Sequence, residues 1–401
     1  MSSPISASPY QASRLTRQPF KLLYTTFTLI TLPLRISAIL LYYIPKFTRQ
    51  HPKWTYHQAV GTSIFSIWWH YTTAVEFRTA KTLKPGGEKD RFVIIDPPST
   101  TATTTSPALY RGIIDSNPAI RPIPIGAVWF TSPPPSGETP KMVVIHFHGG
   151  AYVLGGARQM ESGWGPEVLS KRIGYVLQVQ YRLAIEQKSC FPAAIQDGIT
   201  AYNYVLNTLG VKPENIVLSG ESAGGNLVLA MLRYFSTDGK NALPFPRAGL
   251  CWSPWLDMTT DTKELDKHPS IKTDYVFGSL IAWGKRCYIP KDLSPGHPYL
   301  SPLGNEFECP VPIFVQTGTA EVLYKDHVRF VQRMKEKGCK IELLEIENAP
   351  HDTFGAGIIL GFAKEAENAA DQAVKFVQEA GSELVDISPA ADNAKRMRKV
   401  L

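Results

Sequence analysis

Ser222 stands between two glycines in the order Gly220-Glu221-Ser222-Ala223-Gly224. The apolar run Ile216-Val217-Leu218 ends just before it, and a second run begins at Leu227. A strand that gives way to a helix over so few residues must turn sharply, and small neighbours let it do so without collision. A serine at that turn is lifted out of the chain. It also sits at a helix N-terminus, where backbone N–H groups and the helix dipole favour developing negative charge. The pattern points to a nucleophile, set against the plainer reading of a glycine-rich turn with an incidental serine.

A serine hydroxyl attacks poorly until a base takes its proton. The usual base is an imidazole oriented by a carboxylate. With an elbow of this kind the acid and then the histidine follow the serine along the chain. Four histidines do so: His268, His297, His327 and His351. His351, in ENAPHDTF, follows the last expected strand and is the candidate base. His268 and His297 fall in a polar, proline-rich insertion, and His327 opens an expected surface helix. The acid should follow the preceding strand, PIFVQTG, in the loop TAEVLYKD. Glu321 lies closer to the strand end, whereas Asp326 is better placed as a helix N-cap; Glu321 is favoured.

Acyl transfer also needs N–H donors for an oxyanion. One should be the amide after the nucleophile, Ala223. The others should come from HFHGGAY (146–152), which supplies Gly149, Gly150 and also, as a third option, Ala151. His148 precedes this loop and reads as structural.

These groups need a frame. Expected strands are KMVVIHF (141–147), IGYVLQVQYR (173–182), NIVL (215–218), RAGLCWSP (247–254), PIFVQTG (312–318) and CKIELLEIE (339–347). Expected helices cover 191–210, Asn226 to Phe235, 326–338 and roughly 362–380. Short apolar runs alternating with amphipathic helices predict βαβ units and a mostly parallel sheet, with chemistry at the carboxyl ends of its strands. Residues 258–300 interrupt the alternation, with one helical piece near DYVFGSLIAWGKRCY. With parts of the first 80 residues they should cap the site. The Ser/Thr/Pro-rich stretch 97–107 reads as a linker or exposed loop.

The expected layout is thus an N-terminal hydrophobic anchor and cap helices over 1–90, a catalytic domain over 91–390 and a basic tail over 391–401. The chain's 401 residues and 44% hydrophobic content suffice for a large core. Its net charge of +7 is uneven, at +8 over residues 1–100 and −1 over the rest. A near-neutral body argues against a nucleic-acid groove, and a basic N-terminus suits anionic lipid head groups. Five scattered cysteines form no C-x-x-C, and no metal or phosphate motif is present, so no cofactor is inferred.

Residues 22–44 (LLYTTFTLITLPLRISAILLYYI) would make a helix of roughly 35 Å, against a bilayer core of about 30 Å. Arg14, Arg17 and Lys21 precede this stretch, and Lys46, Arg49 and Lys53 follow it. Arg35 and Pro33 count against a clean span, the first at about 2.5–3.5 kcal/mol on insertion scales. A retained anchor, spanning or lying in the interface, is expected, with an apolar helix packed over the body as the alternative. Residues 55–77 form a second apolar helix, and Trp54, Trp68 and Trp69 suit a lid or an interface.

Six pieces in order resemble the hormone-sensitive-lipase-like branch of the α/β-hydrolases: HGGAY (148–152), YRLAIEQKSCFPAAIQD (181–197), GESAGGN (220–226), SPWLD (253–257), GTAEVLYKD (318–326) and APHDTF (349–354). That branch includes arylacetamide deacetylases, bacterial esterases and fungal steryl acetyl hydrolases. The resemblance covers roughly residues 120–380. It implies an α/β-hydrolase fold with a helical cap and a Ser222–Glu321–His351 triad, since Glu321 keeps the family's spacing to Leu323. Three positions depart from the family: Ala151 replaces the third glycine of HGGG, Glu221 an aspartate in the elbow, and Glu321 an aspartate as the acid.

The function expected is a serine carboxylic ester hydrolase acting on a short-acyl ester of a lipophilic alcohol or metabolite. Amide or formamide hydrolysis and acyl transfer to an alcohol keep the same triad. The plant gibberellin receptors resemble this branch too, but lack the catalytic histidine that APHDTF retains here. Membrane association through residues 22–44 is expected, with the endoplasmic reticulum as one setting and a soluble cytoplasmic protein as the alternative.

Overall fold

The computed structural model describes residues 13–79, 81–98 and 109–386, the last six by their backbone alone. The basic tail 391–401 and most of the 97–107 stretch lie outside the described residues.

Among the described residues eight strands form one sheet: β1 (Phe92–Ile95), β2 (Ile125–Phe130), β3 (Val143–Phe147), β4 (Tyr175–Gln180), β5 (Ile216–Glu221), β6 (Ala248–Trp252), β7 (Ile313–Gly318) and β8 (Ile341–Ile346). Their spatial order is β1-β2-β4-β3-β5-β6-β7-β8. The six strands from β3 onward pair in parallel, while β1 and β2 add an antiparallel edge. The alternation read from the sequence begins at β3. It passes over β1 and β2, short runs set among prolines with no α-helix among the described residues between them to mark a βαβ unit. Strands β3, β5, β6 and β7 are buried along their whole length. That is why they carry short apolar runs without the polar alternation of a half-exposed strand.

The helices are α1 (Phe20–Tyr42), α2 (Tyr56–Ala74), α3 (Gln159–Ser162), α4 (Trp164–Ile173), α5 (Ala193–Asn203), α6 (Ala223–Ser236), α7 (Thr262–Leu265), α8 (Gly278–Tyr288), α9 (Tyr324–Glu336), α10 (Thr353–Leu360) and α11 (Ala363–Asp386). Helices α3, α4, α7 and α10 go unforeseen. Gly163, Gly165 and Pro166 punctuate the first two, and α10 is apolar around most of its circumference. Trp54 and Ala59, N-terminal to the sheet, belong to the same hydrophobic core as its strands. Helix α2 lies close against α10: a Cβ on Gly61 would fall 2.2 Å from the Ile359 carbonyl oxygen.

The chain steps from β3 to β4 on one side and then crosses to β5 on the other. The crevice between β3 and β5 is therefore a topological switch point, where α/β sheets place their ligands. Phe147 pairs with Gly220 at its edge. The loop after β3 consequently leaves the sheet beside the residues that lead into Ser222.

Candidate active site

Ser222 links β5 to α6 with φ 50° and ψ −110°. A positive φ on a non-glycine residue is strained and must be held from outside. Its N–H donates to the Trp252 carbonyl at 2.8 Å, and its carbonyl accepts from Asn226 N at 3.0 Å and Trp255 N at 2.9 Å. The flanking glycines have steric reasons. A Cβ on Gly220 would lie 2.2 Å from Gly224 O, and one on Gly224 would lie 2.0 Å from Phe147 O.

His351 leaves the loop after β8, and its Nδ1 lies 2.7 Å from Glu321 Oε2. Glu321 leaves the loop after β7 and is fully buried. Its Oε1 accepts from Gly318 N at 2.8 Å, Thr317 Oγ1 at 2.5 Å and Ser253 Oγ at 3.1 Å. These donors anchor a carboxylate one methylene longer than the usual aspartate. Burial would raise its pKa, but His327 and His351 hold it well below the usual carboxylate range. Burial likewise pulls the His351 imidazole down. The hydrogen bond and charge of Glu321, with the charges of Asp274 and Asp352, outweigh this and lift it to about 9. Asp326, the alternative acid, opens α9 and lies 3.6 Å from Arg329.

Ser222 and His351 face a common cavity of about 470 Å³, along with Gly149, Gly150 and Ala151. Helix N-termini leave their first N–H groups without intrahelical partners, and Ala223 opens α6. Gly150 and Ala151 take φ of 110° and 52°. The methyl of Ala151 packs against the cap: a Cβ on Gly284 of α8 would lie 2.9 Å from it. A glycine on the cap helix thus makes room for the alanine that replaces a glycine in the loop. Gly149 passes close over the elbow: a Cβ there would lie 3.4 Å from the Ser222 Cβ and from the Glu221 carbonyl oxygen. His148 is buried behind the loop, its ring stacked on Tyr181 at 4.3 Å and its Nδ1 2.7 Å from Gly149 O.

The cap supplies the cavity's apolar walls: Phe65, Trp68 and Trp69 from α2, and Val276, Leu280 and Ile281 from in and before α8. Tyr275 joins the two, its ring 4.8 Å from Phe65, 5.6 Å from Trp69 and 5.7 Å from His351.

Two buried residues escape the sequence reading. Asp274 Oδ1 accepts from His351 N at 3.3 Å and its Oδ2 from Val322 N at 2.7 Å, tying the histidine loop to the acid loop. Nothing in DYVFGSLIAWGKRCY marks that role. His327 is the other, and here the expectation fails: it is fully buried and not on a surface helix face, with Nδ1 3.3 Å from Glu321 Oε1. Its place six residues beyond the acid, on the buried stripe of α9 with Phe330, Val331 and Met334, is the signal that could have found it.

A family model described as alpha/beta hydrolase fold matches residues 144–355. The chain is 29% identical to an esterase of Acinetobacter venetianus over 202 residues, 50% of this chain and 63% of that protein. It is 27% identical to the carboxylesterase NlhH of Mycobacterium tuberculosis over 283 residues, 66% of this chain and 80% of that protein. Among solved structures, EstE5 soaked with p-nitrophenyl butyrate superposes with a TM-score of 0.55 at 28% identity, covering 64% of this chain and 82% of that one. An esterase from the bacterial hormone-sensitive lipase family, at 23% identity, shares the fold with a TM-score of 0.56 over 86% of this chain and 96% of that one. The match spans just under two thirds of the curated Acinetobacter esterase and of a Streptomyces hygroscopicus acetyl-hydrolase, 63% and 64% of their lengths.

Proposed function

The chain belongs to the α/β-hydrolase fold family, and on that premise we propose that it is a serine carboxylic ester hydrolase of the hormone-sensitive-lipase-like branch. The carrying observation is the 2.7 Å bond between His351 Nδ1 and Glu321 Oε2, with His351 and Ser222 lining one cavity. That bond puts a proton on Nδ1 and leaves Nε2 as the base. Nε2 takes the Ser222 proton as Oγ attacks the ester carbonyl, and Glu321 stabilises the imidazolium that forms. Gly149, Gly150 and Ala223, with Ala151 as a further option, donate to the oxyanion. Collapse expels the alcohol, which takes the proton back from His351, and water repeats the sequence on the acyl-enzyme.

The aromatic and aliphatic cap walls favour a lipophilic alcohol moiety, and the narrow space beside Ala151 favours a short acyl group. The similarity to EstE5, soaked with a butyrate ester, supports the same class. Turnover of p-nitrophenyl acetate, butyrate and octanoate should fall along that series and vanish in Ser222→Ala. Turnover of all three undiminished in that folded variant would overturn the reading. Product analysis with a competing alcohol separates hydrolysis from acyl transfer.

Helix α1 is long and apolar enough to cross a membrane, but its polarity runs opposite to that of a helix in water. Leu22, Leu23, Phe27, Leu29, Ile30 and Leu34 are more than half exposed. The inward face bonds to α2: Thr25 Oγ1 lies 3.1 Å from Tyr71 OH, and Ser63 Oγ donates to Tyr43 OH at 3.2 Å. Those two contacts lie near opposite ends of α1, so the helix runs along α2. We therefore place α1 in the plane of a membrane interface, apolar face to the lipid. Trp68, Met160 and Ile359, exposed at the cavity mouth, continue the surface. The protein should float with anionic vesicles, and Leu23→Glu with Leu34→Glu should release it. Failure of the wild type to float would favour the soluble alternative.

A further inference from the structure

Glu321 has a second histidine behind it. His327 Nε2 lies 2.8 Å from the Pro254 carbonyl oxygen, and its Nδ1 lies 2.7 Å from Thr317 Oγ1. A carbonyl has no proton to give, so Nε2 must carry one. The Thr317 hydroxyl has a single proton, and Glu321 Oε1 lies 2.5 Å from its oxygen. Oε1 also receives the Gly318 N–H and the Ser253 hydroxyl, while Oε2 faces His351. A carboxyl surrounded by donors on both oxygens is ionised and accepts only. Thr317 therefore gives its proton to Glu321, and His327 Nδ1 must donate to Thr317. Both ring nitrogens are then protonated.

We propose that His327 is a buried imidazolium, a positioning residue that braces the triad carboxylate from the side opposite His351. This rests on reading Glu321 as the triad acid. The charged and titratable groups around it are consistent with a cation. Glu321 faces it from the loop before α9, Asp326 neighbours it on α9, and Asp274 and His351 lie beyond Glu321. A cation there does two things. It compensates the cost of burying Glu321 ionised, and it takes up part of the charge that would otherwise act on His351.

The role has a sign. With the cation gone, Glu321 pulls harder on His351, so the base holds its proton to higher pH. His327→Gln keeps an N–H for the Pro254 carbonyl but is neutral. The acid limb of kcat/KM should move up by about one pH unit in this variant, and a residue that merely fills space would leave it in place. An unmoved limb, or one moved down, overturns the proposal. Imidazole ¹⁵N spectra of the wild type test the charge directly. One ring, lost in His327→Gln, should carry protons on both nitrogens in the folded wild type at neutral pH. A neutral ring at that position overturns the proposal even if the variant fails to fold. Ser222→Ala should keep that resonance. If Ser222→Ala remains active, the esterase reading fails, yet the resonance still decides the charge on His327.

Discussion

His146 Nε2 lies 3.0 Å from Glu221 on one side of Ser222, and His351 Nδ1 lies 2.7 Å from Glu321 on the other. Both carboxyls are almost wholly buried. Distance and burial alone would make the two pairs alike. Burial instead pushes Glu221 up to about 8 and His146 down to about 3, so that pair is neutral near pH 7. Glu321 is held low and His351 lifted, so that pair is charged. The difference lies in the donors. Glu321 is met by a backbone N–H, two hydroxyls and two histidines, whereas Glu221 is met by His146. Hydrogen-bond supply, not depth, decides which glutamate is an anion.

The largest effect that could break this comparison is on turnover. Glu321→Gln should cut kcat/KM by about 10³–10⁴-fold, because the amide cannot stabilise the imidazolium. Glu221→Gln, which replaces one neutral group by another, should cost less than about tenfold. Equal losses would mean the two carboxyls share one role. A smaller but wide-ranging effect follows from His351. Its neutral form is the base, so kcat/KM should climb about tenfold per pH unit from 7 towards 9, not level off near 6.5. A plateau above pH 7 would show that Glu321 holds less charge than its donors imply.

The two pairs also differ in stability. A folded-state pKa of about 8 for Glu221, against an ordinary 4.5, means that the folded state binds the extra proton between those values. The contribution is full below about pH 4.5 and lost as pH rises through about 8, on the order of a few kcal/mol. Tm should therefore decline over that window, and Glu221→Gln should flatten the decline. Glu321, held low, has the opposite sign and loses its contribution only as pH falls below the ordinary carboxylate range. An unchanged slope in Glu221→Gln would place the titrating proton elsewhere, on Asp352 for instance.

Chain-local features made the candidate residues Ser222 and His351 and the β3 to β8 frame legible. Gly220 and Gly224 are fixed by contacts a Cβ would violate, and His351 by its position after a strand. What could not be read depends on distant partners. Asp274 acts through backbone amides 48 and 77 residues away. The burial of His327 was readable from the apolar stripe of α9, but its Nε2 partner is a carbonyl at Pro254, 73 residues back. Helix α1 was legible as apolar, but the face it turns inward is set by Tyr71 and Ser63 on another helix. The substitutions at 151 and 321 look like defects in a motif. Gly284 accommodates the first, and Thr317, Gly318 and Ser253 accommodate the second.

The smallest effect asks whether those donors to Glu321 are redundant. Ser253 Oγ donates to Oε1 at 3.1 Å and accepts from Asp352 N at 3.1 Å. Ser253→Ala removes the longest of the three bonds to Oε1 and leaves Thr317 and Gly318 in place. A hydrogen bond to a charged group contributes about 1.5–3 kcal/mol, but the remaining donors can close in on the same oxygen. The expected loss in kcat/KM is therefore about tenfold, with KM nearly unchanged because no substrate contact is lost. A loss approaching that of Glu321→Gln would mean the carboxylate depends on each donor separately. No loss at all would mean that Thr317, Gly318 and the two histidines already saturate it.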